Sequence, residues 1–410
     1  MKVIIKPSNR GDLRGIVSIP PSKSLTHRAI ILASLAKGRS EIINPLRSDD
    51  TLCTLKACQK LGVATQSHGD TLAIVGTSGR FIPKKSPIHI DCGDSGTTMR
   101  FITAVSSLHP SKIFLSGSKR LRERPMEELI EKLHILGVHI ANKSHLTISG
   151  GGIRGGKLKI SGSKSSQYIS ALLLISPFAQ NDVELNVAHL SSSPYVDMTI
   201  DLMRLFGVDV EKKGNTYFVK STSHYKAHKY TVEGDYSSAS YFLAVKALTK
   251  SDVTVTNLNA NSVQGDRVFI EILQKMGKDK LHGIHIDLGN NPDLVPIVSV
   301  LSAFAKGTTT IHNIAHLKFK ESDRMKSIQE NLRRMGIRVS QTENSLTIIG
   351  GQPKGSIIDT FHDHRIAMSF AVAALSASGE TTIPNAQVVK KSYPNFWDDL
   401  KNIGVNIEFL

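Results

Sequence analysis

Six short clusters in this chain join residues able to cap a helix with groups able to hold an anion. They are Ser22-Lys23-Ser24, Asp94-Ser95-Gly96-Thr97, Ser165-Ser166-Gln167, Asp235-Tyr236-Ser237-Ser238, Pro292-Asp293 and His362-Asp363-His364-Arg365. Each stands just before an apolar stretch, and each contains an N-cap type residue or a proline suited to a helix start. A helix start offers unpaired N–H groups and the positive end of the macrodipole, which together favour phosphate and carboxylate. Any one capping residue only caps. Lys23 with Arg28 one turn later, and Arg365 beside Asp363, make anion binding the better reading for the set. Lys and Arg exceed Asp and Glu by 51 − 35 = 16, so the whole surface attracts anions. The basic residues are dispersed and aromatic residues are only 6%, a poor supply of stacking platforms, so small anionic substrates are expected rather than nucleic acid.

The elements behind these clusters repeat. Apolar helices are predicted at Leu25–Leu35, Thr97–Leu108, Tyr168–Phe178, Ser238–Leu248, Leu294–Ala305 and Arg365–Ala377, too apolar all round to lie on a surface. Each is followed by an amphipathic helix ending at a glycine: Gly62, Gly137, Gly207, Gly277, Gly336 and Gly404, spaced by 75, 70, 70, 59 and 68 residues. A glycine there fits the C′ position of a helix. Alternating residues such as Val208-Asp209-Val210-Glu211 then predict a strand. If pseudo-symmetry gathers the six helix starts at a common cleft, six positive ends face it.

At 410 residues the chain exceeds one ordinary core, so two domains are expected. Its composition, 40% hydrophobic and 21% charged, is that of a soluble globular protein. No apolar run approaches the ~20 residues of a membrane span, Ala29 to Ala36 being among the longest. The opening Met-Lys-Val-Ile-Ile-Lys has no leader character, so a cytoplasmic location without membrane association is expected. Cys53, Cys58 and Cys92 read as free thiols of a reducing compartment. Two tempting motifs fail. Gly151 to Leu158 nearly spells a phosphate loop, but Leu158 cannot ligate Mg²⁺ and Lys157-Leu-Lys-Ile alternates like a strand. His362 and His364 lack further metal ligands in sequence, and Arg365 beside them would repel a cation. No metal and no cofactor are expected.

The string Pro21-Ser22-Lys23-Ser24-Leu25-Thr26-His27-Arg28 resembles the P-x-S-K-S-x-x-x-R signature of the shikimate-phosphate enolpyruvyl transferases. The family's later motifs occur in order: Asp94 to Arg100, Arg122-Glu-Arg124-Pro-Met126, Ser165-Ser166-Gln167-Tyr168, Ser191-Ser-Ser-Pro-Tyr195 and Gly234 to Ala239. The C-terminal half adds Pro292-Asp293, Lys320-Glu-Ser-Asp-Arg324, Asp363-His364-Arg365 and Lys391-Ser-Tyr-Pro394. The match spans essentially the whole chain.

The resemblance implies an α/β fold of two similar domains, each of three βαβαββ repeats around buried parallel helices, an inside-out α/β barrel. Residues 1–21 with 235–410 would form a discontinuous domain carrying both termini, and 22–234 an inserted one. The implied reaction joins the enolpyruvyl group of phosphoenolpyruvate to the 5-hydroxyl of shikimate 3-phosphate; a monomer is expected. By resemblance Lys23, Ser24, Arg28, Ser165, Ser166, Gln167, Ser192, Asp293 and Lys320 hold shikimate 3-phosphate. Lys23, Gly96, Arg124, Gln167, Arg324, Arg365 and Lys391 hold phosphoenolpyruvate, the planar guanidinium fork suiting carboxylate and phosphate. Asp293 matches the residue that takes the 5-hydroxyl proton, and Glu321 the proton relay at C3, with Lys23 the third catalytic group. Read alone, Asp293 is an N-cap after Pro292, Glu321 a partner for Lys320, and Gly96 a glycine easing a turn. Asp94, Phe101 and His316 depart from one common form of the pattern. The rival reading is the sister transferase acting on a UDP-amino sugar in cell-wall synthesis, which usually places a reactive Cys in the second repeat's loop. Lys119 to Met126 contains none.

Overall fold

The computed structural model describes residues 1–83 and 87–410. They fall into two compact units, one formed by Met1–Pro20 with Gly234–Leu410, the other by Pro21–Glu233.

The unit Pro21–Glu233 repeats one design three times. Its buried helices are α1 (Lys23–Leu35), α2 (Gly96–Ser106) and α3 (Gln167–Ile175). Every residue of α1 from Leu25 onward is buried, as its lack of a polar face predicts. Three four-stranded sheets surround them, and each holds one parallel pair followed by two antiparallel pairings. Thus Ile88–Asp91 runs parallel to Ile113–Ser116, which pairs antiparallel with Leu146–Ser149, itself antiparallel to His139–Asn142. Gly156–Ser161, Val183–Ala188, Thr216–Val219 and Glu211–Lys213 follow the same order. In the remaining sheet the first strand, Lys229–Thr231, comes from the end of the unit and pairs with Lys37–Ile43. The near-phosphate-loop segment therefore is a turn leading into a strand, with Leu158 and Ile160 facing the core and Lys157 and Lys159 facing out.

The other unit carries α4 (Tyr236–Thr249), α5 (Val295–Ala303) and α6 (His364–Ala374), and these three pack against one another. Strand Lys2–Ile5 lies between Thr381–Pro384 and Ile407–Phe409, so the N-terminus completes a sheet of the C-terminal segment. The glycines ending the outer helices all have positive φ, from +81° at Gly336 to +105° at Gly62 and Gly277, where a side chain would be strained.

The expectation of an α/β fold with six related repeats holds, with two differences of detail. The repeat built on α4 has no hairpin among the described residues: Arg14–Ser18 and Asp252–Thr256 make a two-stranded sheet. After Gly277 the chain reads Lys278-Asp279-Lys280 and enters His285–Asp287, with too few residues for two strands, which accounts for the short 59-residue interval. Val208 to Val210 also precede, rather than join, the strand that begins at Glu211.

Candidate active site

Three helix starts in the α4–α6 unit converge on one guanidinium. Arg324 opens the helix Arg324–Arg334, which Asp323 caps by accepting from the Lys326 N–H at 3.2 Å. The Arg324 side chain is 1% exposed. Its Nε donates to Asp363 Oδ2 at 2.8 Å, its Nη1 to Asp293 Oδ1 at 2.7 Å and its Nη2 to Glu321 Oε2 at 2.9 Å. Asp363 also caps α6, accepting from the Arg365 N–H at 2.9 Å, so one carboxylate fixes both a helix start and a buried cation. Asp293 uses its second oxygen on Arg365 Nη2 at 2.6 Å, and Glu321 its second on Lys391 Nζ at 3.7 Å. Arg365 Nη1 donates in turn to the Tyr241 hydroxyl at 3.3 Å. Three carboxylates thus meet three cations, which is how so many charges lie in a buried place. Burial opposes the charge on Arg324, but Asp363, Glu321 and Asp293 more than offset it and raise its pKa.

Around this cluster sit two titratable groups whose state burial decides. Asp266 accepts from the Ser237 hydroxyl and from Asn291 Nδ2, the latter at 3.2 Å. Burial first, and Asp293 second, push its pKa up to about 6. His316 is pushed down to about 3, by burial and then by Lys320, which keeps the imidazole neutral. Its Nε2 is buried without a hydrogen-bond partner among the described residues. Lys320 itself is half-buried at the end of the 3₁₀ turn Ala315–Phe319.

In the other unit, Ser22 caps α1, and Lys23 reaches Asp50 Oδ2 at 3.3 Å. Arg28 is buried: Nε donates to Thr199 Oγ1 at 2.7 Å, Nη1 to the Ser24 carbonyl at 2.8 Å and Nη2 to the Tyr195 carbonyl at 2.8 Å. Burial lowers its pKa to about 10, leaving it charged at neutral pH. At the start of α2, a Cβ on Gly96 would collide with the guanidinium groups of Arg124 and Arg100. Glycine is therefore required so that two arginines can lie against the first turn. Gln167 Nε2 donates to Thr97 Oγ1 at 2.9 Å, and its Oε1 is buried without a partner among the described residues. Ser165 Oγ accepts from the Gln167 N–H at 3.2 Å, and Ser166 is the residue before α3. Ser192, left-handed at φ 58° and buried, heads the helix Ser193–Leu205.

Asp293, Glu321, Arg324, Arg365 and Lys391 are thus brought into one ion-pair cluster, with Lys320 nearby. Lys23, Ser24, Arg28, Gly96, Arg124, Ser165, Ser166, Gln167 and Ser192 gather at helix starts of their own unit. Sequence reading gave no role to Asp50, Arg100, Thr97, Tyr241 or Asp266. Thr97 and Arg100 stood in a quoted motif beside Gly96, where they could have been found; Asp50, Tyr241 and Asp266 are joined to the site only by packing. Among the described residues no group of three His, Cys, Asp or Glu is arranged to hold a metal ion. No helix there is long and apolar enough to cross a membrane.

Comparison with known proteins gives a consistent result. The family model described as EPSP synthase (3-phosphoshikimate 1-carboxyvinyltransferase) matches residues 7–400. The 3-phosphoshikimate 1-carboxyvinyltransferase of Methanocaldococcus jannaschii is 40% identical, covering 99% of this chain and 99% of its own. That of Methanococcoides burtonii is 41% identical, again covering 99% of each chain. The solved EPSP synthase of Acinetobacter baumannii superposes with a TM-score of 0.84 at 28% identity over 99% of both chains.

Proposed function

This chain belongs to the EPSP synthase (3-phosphoshikimate 1-carboxyvinyltransferase) family, and from that premise we infer that it transfers the enolpyruvyl group of phosphoenolpyruvate to the 5-hydroxyl of shikimate 3-phosphate, releasing phosphate. The observation that carries the reading is the cluster of Asp293 and Glu321 with Arg324, Arg365 and Lys391. It sets two carboxylates suited to proton transfer among cations suited to an enolpyruvyl phosphate.

In the addition step Asp293 takes the 5-hydroxyl proton as that oxygen bonds to C2 of phosphoenolpyruvate, and Glu321 gives a proton to C3. In the elimination C3 returns a proton to Glu321, the C2–C3 double bond re-forms and the bond from C2 to the phosphate oxygen breaks. The phosphate leaves with the electrons of that bond and takes up the proton that Asp293 removed, so protons and electron pairs balance without a redox partner. Lys23, Gly96, Arg124, Gln167, Arg324, Arg365 and Lys391 hold phosphoenolpyruvate, Lys23 also countering the charge that grows on the leaving phosphate. Lys23, Ser24, Arg28, Ser165, Ser166, Gln167, Ser192, Asp293 and Lys320 hold shikimate 3-phosphate. The ion pairs keep the buried cations compensated until a substrate anion competes for them. The buried Gln167 Oε1 suits a ring hydroxyl, since an unpartnered amide oxygen is costly until something donates to it.

The UDP-amino-sugar reading is set aside. Cys58 and Cys92 are buried with thiol pKa values raised by burial, and the matching relatives carry the shikimate name. We also read the protein as a cytoplasmic monomer. Its three cysteines are free, and its exposed large apolar residues, such as Ile16, Ile82 and Ile357, stand on separate segments of the chain. The deciding assay is phosphate release, which should require both phosphoenolpyruvate and shikimate 3-phosphate. Turnover with the UDP-sugar and none with shikimate 3-phosphate would overturn the reading.

A further inference from the structure

The missing hairpin in the α4 repeat leaves something behind. In three other repeats the second hairpin strand ends in a glycine pressed onto the end of a buried helix: Gly76 on Ala36, Gly150 on Ser107 and Gly350 on Ala305, each so close that a Cβ would strike a carbonyl. Among the described residues no such strand passes over the end of α4. The N-terminal loop reaches this face instead, Gly11 N–H donating to the Thr249 carbonyl at the end of α4 and Ser8 N–H to the Leu375 carbonyl at the end of α6, both at 2.9 Å. What remains is a cavity of about 470 Å³ at the C-terminal ends of α4, α5 and α6. The catalytic cluster lies at the opposite, N-terminal starts, roughly 20 Å away along a helix of α4's length.

Arg10, Lys250, Lys280 and Lys306 line this cavity against one carboxylate, Asp279, and Phe304 forms part of an apolar wall. Cations often sit at helix C-termini to complement the dipole. Here, however, backbone N–H groups already satisfy the Thr249 and Leu375 carbonyls. The side chains of Arg10, Lys280 and Lys306 form no hydrogen bond or ion pair among the described residues. Lys250 donates to the Lys278 carbonyl at 2.5 Å. Four cations against one carboxylate, beside an aromatic ring, are complementary to an anion with a flat apolar body.

We propose that this cavity is a second ligand site, remote from the reacting groups, for a small aryl anion whose phosphate or carboxylate head meets Arg10, Lys280 and Lys306 while its ring packs on Phe304. Phenyl phosphate and benzoate are the probes, titrated calorimetrically into the full chain at low salt, and the tighter of the two identifies the head group. Lys280→Glu combined with Lys306→Glu should weaken that binding by about tenfold or more, since two attractions become repulsions. Lys391→Gln, at the helix starts, should leave it in place. Both lysines are exposed, so turnover and unfolding midpoint of the double variant should match the parent. If the charge reversal did not fold, Lys280→Gln with Lys306→Gln makes the same comparison. Unchanged binding in the lysine variants, loss of it in Lys391→Gln, or no binding of either probe would overturn the proposal. Inorganic phosphate binding as tightly as phenyl phosphate would overturn its aromatic part.

Discussion

Asp293 and Arg365 meet at 2.6 Å, carboxylate Oδ2 to guanidinium Nη2, while the other oxygen of Asp293 accepts from Arg324 at 2.7 Å. The proposed base is therefore also the anion that holds two arginines in place. Asp293→Asn keeps the shape but offers one oxygen instead of two, so it loses both the base and one guanidinium contact. We expect kcat to fall on the order of 10²-fold or more, with shikimate 3-phosphate affinity changed far less. Steady-state kinetics and calorimetry decide it, and a normal kcat would remove Asp293 from the chemistry.

Arg324→Lys tests the centre of the cluster. A single ammonium cannot address Asp363, Glu321 and Asp293 in the planar geometry that Nε, Nη1 and Nη2 provide. Leaving buried carboxylates unpaired should destabilise the α4–α6 unit by about 3 kcal/mol or more. Urea unfolding measures this, and a midpoint equal to the parent's would mean the network adds nothing to stability.

Gly96→Ala should fold, because the atoms in its way are the ends of two flexible arginine side chains. Displacing Arg124 and Arg100 should raise KM for phosphoenolpyruvate about tenfold or more, with a smaller effect on the other substrate. Equal effects on both KM values would argue against a phosphoenolpyruvate role for that helix start.

Asp266 makes stability depend on pH in a definite direction. Its folded pKa of about 6 lies above the ordinary 3.8, so between these values the folded chain holds a proton that the unfolded chain has released. Stability from this group is therefore present below pH 4 and is lost as pH rises toward 6. Asp266→Asn keeps an oxygen for Asn291 and an N–H for the Ser237 hydroxyl, and should flatten that slope. Urea midpoints across pH 4–7 that change identically in parent and variant would assign the slope to another group.

The repeats, the capped helix starts and the six C′ glycines were legible in the sequence because each depends on residues a few positions apart. A cap bonds three residues on, an apolar helix shows its period within two turns, and a left-handed glycine follows its own helix directly. The family motifs lie at the same helix starts, so the candidate residues were legible too. The absence of a hairpin after Gly277 was hinted at by the 59-residue interval, but its result, an open cavity, depends on what passes over a distant helix end.

Side-chain partnership was decided only in three dimensions. Arg324 and Asp363 are 39 residues apart, and Arg28 and Thr199 are 171 apart. Asp266 is an ordinary polar residue in the sequence, and only burial beside Asp293 sets its pKa. Local chemistry determines where a helix starts and what its first residues can hold. Sheet order and helix packing determine which distant charge meets which, because desolvation and Coulomb attraction act through space and not along the chain.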